Sequence, residues 1–209
     1  MELVTASRFH SKLHLRGLLP FRFRGQGPSQ VLTRVGFMAS GGQTQKELLS
    51  ILPQSGEVTW IGLRPERRQP VVEVSEVEAT TDVGLVGDRY ASKSKRDRQV
   101  TLIQREHLAA AGSMLHRDSL DPAIVRRNIV VTGVNLLAFK NQRFKVGDAI
   151  LQFTGLCHPC SRMEEVLGPG GYNAMRGHGG ITAEVLQAGT IKIGDAVCLF
   201  KEPHDSMQP

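Results

Sequence analysis

The side chains best suited to chemistry lie in one short run, Gly-Leu-Cys-His-Pro-Cys-Ser-Arg-Met-Glu at residues 155–164. Within it, Cys160 follows a strand-like segment, residues 144–154, and precedes a helix-like segment, residues 161–167. A thiol at the start of a helix meets unpaired backbone N–H groups and the positive end of the helix dipole, and both favour the thiolate. The thiolate binds metals and attacks electrophiles, whereas most free cysteines are buried and inert. Both interpretations of Cys160 stay open at this point.

The cysteine spacing allows other uses of the same run. Cys157 and Cys160 form a C-x-x-C pair, but a structural zinc site needs a second pair, and Cys198 stands alone. Thiol–disulfide exchange by the pair is an alternative, although the βαβ pattern expected around such a motif is absent. Arg162 and His158 would add positive charge around a single functional thiolate at Cys160.

A glycine-rich stretch follows Cys160 at residues 168–180, Gly-Pro-Gly-Gly-Tyr-Asn-Ala-Met-Arg-Gly-His-Gly-Gly. Glycine lets backbone N–H groups approach an anion or a planar ligand, and Arg176 and His178 add positive charge. The stretch lacks the Gly-Lys-[Ser/Thr] of a Walker loop and the strand-to-helix context of a dinucleotide fingerprint. We therefore predict a ligand-binding loop that includes Gly179, with a long surface loop as the alternative.

Arginine occurs in two further short motifs. Residues 84–90 are Gly-Leu-Val-Gly-Asp-Arg-Tyr, where Asp88 beside Arg89 suits either a structural salt link or a turn. Arg127 and Asn128 enter a hydrophobic strand-like run. Guanidinium groups bind phosphate and carboxylate in a bidentate manner. These motifs are therefore candidates for holding an anionic ligand.

Charge and composition narrow the classes of function. The chain of 209 residues carries a net charge of +6, but residues 1–36 hold six basic residues and one acid, so the remainder carries only +1. The folded part therefore lacks the basic excess that nucleic-acid binding requires, and we expect no nucleic-acid partner. No apolar run approaches the roughly 20 residues that span a bilayer, so we expect no membrane association. Three cysteines favour a reducing compartment, the cytoplasm, over a disulfide framework.

The chain divides into a leader, one domain and a tail. Residues 1–43 form a basic leader whose Arg and Ser content resembles an organellar transit peptide but not a secretory signal. We favour a native start at Met38, with the preceding residues not belonging to the native protein. Residues 44–203 form the single domain, and residues 204–209 form a tail.

Periodicity predicts many strands and few helices within the domain. Thr44 and Glu47 match a capping box, and Asp121-Pro122 matches the start of a short helix. The strand-like runs are residues 58–63, 71–79, 100–103 and 128–131, and residues 104–116 have a helical pattern. Two segments share Lys-[Val/Ile]-Gly-Asp-Ala, at 145–149 and 192–196, and each predicts a tight turn that leads into a strand. The sequence therefore predicts a mainly β, α+β fold that resembles a β-barrel and carries a few short helices.

Taken together and in order, these motifs resemble the MOSC domain, named after the C-terminal part of molybdenum cofactor sulfurases. The resemblance covers roughly residues 58–200 and is greatest to small stand-alone bacterial members, because the chain leaves no room for a pyridoxal-phosphate-binding domain. The motifs that carry it are Gly84-Leu-Val-Gly-Asp-Arg-Tyr90, Arg98-Gln-Val-Thr-Leu-Ile103, Arg127-Asn-Ile-Val-Val-Thr-Gly133, Phe144-Lys-Val-Gly-Asp148, Pro159-Cys160-Ser-Arg162 and Ile191-Lys-Ile-Gly-Asp195.

The resemblance implies a barrel-rich fold and a cysteine, here Cys160, that binds molybdenum or carries sulfur for the molybdenum cofactor (molybdopterin). It also implies reduction of N-hydroxylated compounds or sulfur transfer to the cofactor. A ferredoxin- or flavin-type reductase would be the partner in the first case, because the chain has no iron–sulfur cysteine pattern. Client molybdoenzymes would be the partners in the second, and a homodimer is also open. The role of Cys157 is not implied.

The chemistry of the residues agrees with a cofactor that carries a soft metal and a phosphate. A thiolate suits molybdenum because thiolates prefer soft metals, and a phosphate needs guanidinium and backbone N–H donors. The sequence therefore offers a carrier or an enzyme as the main hypotheses, with thiol–disulfide exchange as a further one. The candidate cofactor-binding residues are Arg89, Arg98, Arg127, Asn128, His158, Arg162, Arg176, His178 and Gly179.

Overall fold

A computed structural model describes residues 43–90 and 95–201. Nearly all of the predicted leader, including the alternative start at Met38, lies outside the described residues, as does the tail 204–209. Both stay predictions.

The described residues form eleven strands and five short helices. The strands are β1 (Gly56–Leu63), β2 (Val72–Val74), β3 (Glu76–Thr80), β4 (Gly84–Leu85), β5 (Val100–Gln104), β6 (Ile129–Thr132), β7 (Arg143–Val146), β8 (Ala149–Leu156), β9 (Ile181–Gln187), β10 (Gly189–Lys192) and β11 (Ala196–Leu199). The helices are α1 (Gln45–Ser50), α2 (Arg105–Met114), α3 (Pro122–Val125), α4 (Ser161–Leu167) and α5 (Gly171–Ala174), and one 3₁₀ turn spans Leu136–Phe139.

Seven of the strands close into a barrel in the order β11-β7-β8-β9-β5-β6-β1, and β1 returns to pair with β11. All of these pairings are antiparallel except β5–β6, and β2 extends β1 outside the barrel. A second sheet has the order β10-β3-β4. The prediction of a mainly β, barrel-like α+β fold with a few short helices is confirmed.

Two hydrophobic cores explain why β5 and β6 are buried along almost their whole length. One core fills the barrel, where Phe139 and Phe144 stack with ring centroids 4.7 Å apart among aliphatic side chains. The other lies between the barrel and the helices and contains Ile103, Val130 and Met163. Because β5 and β6 face both cores, their residues are buried on both sides, as is usual for parallel strands.

The paired Lys-x-Gly-Asp-Ala segments form the predicted turns. The first lies between β7 and β8 and the second between β10 and β11, with Gly147 and Gly194 at positive φ. The strand-like segment 144–154 is therefore a hairpin rather than one strand. A side chain at Gly147 would collide with Asp195, so the two turns pack against each other.

The run 71–79 is also two strands rather than one, because its halves have different partners. β2 pairs with β1, whereas β3 pairs with β10 in the second sheet. The chain changes sheets at Ser75, whose carbonyl accepts from the Ile193 N–H at 3.0 Å. Only the second half shows the alternating burial that its sequence indicates.

The helix ends agree closely with the sequence signals. The capping box of Thr44 and Glu47 is present, and the Asp121 side chain caps α3 by accepting from the Ala123 N–H. Helix α4 spans the predicted residues, and Cys160 is its N-cap. Helix α2 is shorter than the predicted 104–116, because Gln104 completes β5.

None of the described helices has the length and apolar character needed to cross a bilayer.

Two glycines in the segment before β9 provide a matched test of packing. Gly177 and Gly180 have φ values of +79° and +82°, but only a side chain at Gly180 would collide with the backbone of Leu102. We expect Gly177→Ala to cost about 1 kcal/mol from backbone strain alone. Gly180→Ala adds overpacking and should cost about 2–4 kcal/mol. Urea denaturation of both variants measures the difference, and equal losses would contradict the close approach to β5.

Candidate functional site

Four arginines converge on one cleft of about 310 Å³. We call it the arginine cleft. It is lined by Arg64, Arg89, Tyr90, Arg98, Thr101, Arg127 and Cys157.

The barrel topology brings these residues together from distant parts of the chain. Because β5 and β6 run parallel and β1 runs antiparallel to β6, the end of β1 meets the starts of β5 and β6. Arg64 directly follows β1, Arg98 precedes β5 and Arg127 precedes β6. Arg89 follows β4, and Cys157 directly follows β8.

Asp88 is the carboxylate that organises this cleft. Its side chain is fully buried and accepts from the Arg64 backbone N–H at 2.7 Å, from Nε at 2.9 Å and from Nη2 at 2.7 Å. Burial alone would raise the pKa of Asp88, but the hydrogen bonds and charge of Arg64, with a hydrogen bond from Asn128, outweigh it and lower the pKa. Asp88 is therefore ionised at neutral pH and forms a structural salt link with Arg64, 24 positions away, rather than with its neighbour Arg89.

Asn128 lies beneath the cleft as a buried hydrogen-bonding hub. Its Nδ2 donates to Gly62 O at 3.1 Å and to Asp88 Oδ1 at 3.2 Å. Its Oδ1 accepts from Arg64 Nη2 at 3.0 Å and from Thr101 Oγ1 at 2.8 Å. Since these hydrogen bonds occupy its amide, Asn128 orients Arg64. Contact between Asn128 and a cofactor stays a prediction.

Arg127 carries the strongest sign that the cleft accepts an anion. Its Nε and Nη1 donate to Gly179 O and Val125 O, each at 2.7 Å, but its buried Nη2 has no partner among the described residues. Burial lowers the pKa of Arg127, Cys157 opposes that shift, and repulsion by Arg64 and Arg98 adds to it. Since buried donors are normally satisfied, an anionic oxygen would complete this site.

The two cysteines of the C-x-x-C pair differ in environment. Cys157 is 4% exposed and its Sγ accepts from Arg98 Nη2 at 3.8 Å inside the cleft. Cys160 is exposed at the N-cap of α4, where its side chain makes no capping bond. Both act electrostatically on Arg127, so both sulfurs lie near the same guanidinium.

Arg162 belongs to the same positive region but lines a neighbouring depression. That depression also contains Arg68 and Arg126, and the buried atoms Arg162 Nε and Arg126 Nη2 have no partner among the described residues. The pKa of Arg126 is lowered by burial first and then by repulsion from Arg162, Arg64 and Arg89. The positive field therefore extends beyond the cleft.

The remaining predicted residues lie around Cys157 rather than in the arginine cleft. His158 and Arg176 share a shallow depression. His178 packs edge-on against His107, with ring centroids 5.0 Å apart. Gly179 is buried so closely behind Cys157 that a side chain there would collide with the Cys157 carbonyl. The structure thus brings Arg89, Arg98 and Arg127 together in the arginine cleft and places the other candidates outside the cleft lining.

Sequence reasoning missed Arg64, Tyr90 and Thr101, and it left Cys157 without a role. Arg64 ends a hydrophobic strand, and Asp88 invites a basic partner, but no local pattern pairs two residues 24 positions apart. No group of three or more His, Cys, Asp or Glu side chains suited to a metal occurs in residues 43–90 and 95–201.

The Asp88–Arg64 pair should control stability. Asp88→Asn leaves the Arg64 charge uncompensated, and we expect a loss of about 3 kcal/mol in unfolding free energy. Asp82→Asn is the control, because Asp82 and Arg96 form an exposed pair at 3.8 Å that contributes little. The lowered pKa of Asp88 means that its stabilisation is lost as the pH falls below about 4. Urea titrations across pH check both statements, and equal effects of the two variants would contradict them.

His107 should produce a second pH dependence. Burial lowers its pKa below 6.5, repulsion by His178 adds to the shift, and Glu106 opposes it. The unfolded chain then binds a proton that the native protein does not, so stability should fall as the pH drops through 6.5. His107→Gln should flatten this slope, while the exposed control His116→Asn should not. Thermal unfolding at several pH values measures it, and an unchanged slope in His107→Gln would exclude the assignment.

The fold is shared with solved structures of low sequence identity. The YuaD protein from Bacillus subtilis superposes with a TM-score of 0.62 at 15% identity, over 72% of this chain and 100% of that chain. YiiM from Geobacillus stearothermophilus gives a TM-score of 0.56 at 17% identity, over 70% and 75% of the two chains. YiiM from Escherichia coli gives 0.53 at 19%, over 70% of each. No curated protein compared with this sequence gave a significant match.

A family model for the MOSC domain matches residues 84–198, which is more than half of the chain. The match begins at the Gly-Leu-Val-Gly-Asp-Arg motif, which supplies Asp88 and Arg89, and ends in β11. It contains every cleft residue except Arg64. The chain therefore belongs to the MOSC domain family, which is linked to binding of the molybdenum cofactor.

Proposed function

We propose that this protein binds the molybdenum cofactor through the arginine cleft, with Cys160 as a sulfur ligand of the metal. The observation that carries the proposal is the set of cleft arginines without a carboxylate partner beside two thiols. Within the part of the chain that the structure describes, Arg64 is the only one of the four cleft arginines that forms an ion pair with a carboxylate. The other three offer their charge to a ligand.

The donor set fits a phosphate-bearing group. Charge-assisted bonds from guanidinium to phosphate are about twice as strong as neutral hydrogen bonds. Arg127 is held by two carbonyls, and Arg64 is held by Asp88 and Asn128, so neither needs to be ordered when a ligand binds. Such preorganisation reduces the entropic cost of binding. We assign the cofactor's phosphate to Arg127, because it is already held in place, and to Arg98, because it lines the same cleft and has no carboxylate partner among the described residues. Arg89 lies beside them in the cleft.

Sulfur at the edge of the cleft suits the metal. Molybdenum prefers soft donors, and a thiolate is the softest ligand that a protein offers. Cys160 is exposed at the N-cap of α4 and its side chain makes no capping hydrogen bond, so its sulfur is accessible to a metal. When bound, the cofactor would supply two-electron oxidation and reduction at the metal.

As the activity, we propose reduction of N-hydroxylated compounds, with electrons from a ferredoxin- or flavin-type reductase in the cytoplasm. A carrier function is the second candidate, and the exposure of Cys160 favours it. The exposed Cys160 thiolate can attack the outer sulfur of a donor protein's persulfide, so that the donor's S–S bond breaks, the donor leaves as a thiolate and Cys160 carries the persulfide. A thiolate of a client molybdoenzyme can take the sulfur from Cys160 by the same exchange, whereas the buried Cys157 is less accessible. Release of sulfur by cyanide from protein that lacks molybdenum would support the carrier.

Replacement of single cysteines tests the proposed metal ligand. Loss of an outer-shell partner alone typically costs about 10- to 100-fold in metal affinity, so loss of the ligand should cost at least as much. We therefore expect Cys160→Ser to lower the molybdenum content of freshly purified protein by about tenfold or more. Cys198→Ser, in β11, is the matched control. Elemental analysis provides the measurement.

Cys157→Ser distinguishes the role of the buried thiol, which lines the cleft, from that of the exposed Cys160. The metal content should persist in this variant if Cys160 is the ligand. Loss of molybdenum from Cys157→Ser but not from Cys160→Ser would reassign the ligand to the buried thiol. A disulfide between the two in air-oxidised protein, with molybdenum absent from all variants, would favour thiol–disulfide exchange.

Arg98→Gln tests the assignment of the phosphate. Arg98 is exposed, and within residues 43–90 and 95–201 it donates only to Cys157, so its loss should leave folding intact. A lost charge-assisted bond should weaken retention of the pterin by about tenfold or more. Arg105→Gln, which removes an exposed arginine that donates to Thr59, is the control. Fluorescence of the oxidised pterin released from each protein measures retention, and equal release from both variants would refute the assignment.

A further inference from the structure

A second cavity shares Cys157 with the arginine cleft but has the opposite character. It measures about 130 Å³, and no Lys, Arg, Asp or Glu is among the described residues that line it. We call it the neutral pocket. Its apolar walls are formed by Leu136, Leu137, Leu156 and Ile181.

Three polar side chains, besides the Cys157 thiol, line the neutral pocket: Gln104, His107 and the exposed His158. Gln104 is 8% exposed, and its Oε1 accepts from the Leu136 backbone N–H at 3.2 Å. Its Nε2 has no hydrogen-bond partner among the described residues, so it can donate to a ligand. His107 also lines the pocket and packs edge-on against His178. Burial lowers the pKa of His107, so its ring is neutral at pH 7 and offers one donor and one acceptor.

The size of the pocket limits what it can hold. Ligand sites for drug-sized molecules usually exceed about 300 Å³. A cavity of about 150 Å³ with apolar walls holds benzene. The neutral pocket therefore suits a molecule about as large as one six-membered ring, and the cofactor is too large for it.

Its entrance is apolar as well. Leu137 and Leu156 both line the pocket and are each 46% exposed. An apolar ligand would cover these side chains and remove their surface from water, which is favourable by about 25 cal/mol per Å². The backbone of Gly177 lines another side, where an added side chain would meet no other atom within 4 Å.

We infer that the neutral pocket binds a small uncharged molecule, whose apolar body lies between Leu137 and Leu156 and whose head group both donates and accepts hydrogen bonds at Gln104 and His107. An anion is disfavoured because no Lys or Arg is among the described residues that line the pocket. If the proposed function is right, this molecule is the substrate. The anionic cofactor then lies in the arginine cleft, with Cys157 as the wall between them.

Ligand titrations on the protein as purified, without added cofactor, test this inference. Benzamide is the probe, because its amide donates and accepts and its ring matches the volume. Benzoate has the same shape with a negative charge, and toluene lacks the head group. We expect benzamide to bind at least about tenfold more tightly than either, since one unmet hydrogen bond costs about that much. Equal affinity for the three would overturn the inference.

Backbone amide spectra locate the probe. Glycine amides fall in a distinct spectral region, so benzamide should shift the signals of Gly177, Gly179 and Gly180. Leu137→Trp should block the entrance and abolish these shifts, whereas Leu186→Trp, at a similarly exposed leucine outside the pocket, should not. Benzamide shifts that survive Leu137→Trp, or that appear only near Arg98, would refute the location.

Inorganic phosphate separates this inference from the proposed function. Phosphate should shift signals around the arginine cleft, at Thr101 and Arg127, without displacing benzamide. Phosphate binding without benzamide binding would overturn the neutral pocket and leave the cofactor proposal standing. Benzamide binding without phosphate or molybdenum binding would support the pocket and overturn the cofactor proposal.

Discussion

The pairing of Asp88 with Arg64 is the interaction on which the site depends. A fully buried carboxylate must be compensated, and Asp88 receives three hydrogen bonds from Arg64 and one from Asn128. The network connects the end of β1, the loop after β4 and, through Thr101 and Asn128, the starts of β5 and β6. Because Arg64 is neutralised there, the repulsion among the four cleft arginines is reduced, and the other three can remain available to an anion.

Close backbone approaches hold the sulfur side of the site. The Cys157 N–H donates to Gly180 O at 2.9 Å, and side chains at Gly179 or Gly180 would collide with Cys157 or with Leu102. Gly179 and Gly180 therefore allow the Cys157 segment to pack against β5. Arg127 reaches the Gly179 carbonyl from the other direction, so one glycine links the cleft arginine to the cysteine segment.

Two cavities of different electrostatic character meet at Cys157. Four arginines line the arginine cleft, whereas the neutral pocket has apolar walls with an amide and two imidazoles. In a medium of low dielectric constant such a separation selects ligands by charge. An anion is stabilised where guanidinium groups compensate its lost hydration, and it is destabilised where none is present. The proposed division between cofactor and substrate follows from this difference in charge.

Local signals in the sequence determined the local structure: the capping box at Thr44, the two Gly-Asp turns and the placement of Cys160 at the start of α4. Composition and strand spacing also predicted a β-barrel. Capping and turns involve residues a few positions apart, so the sequence is sufficient for them. The split of 71–79 between two sheets, the pairing of Arg64 with Asp88 and the burial of Cys157 inside the cleft needed the tertiary structure. Each of these depends on which distant strand becomes a neighbour when the barrel closes, and no spacing along the chain records that choice.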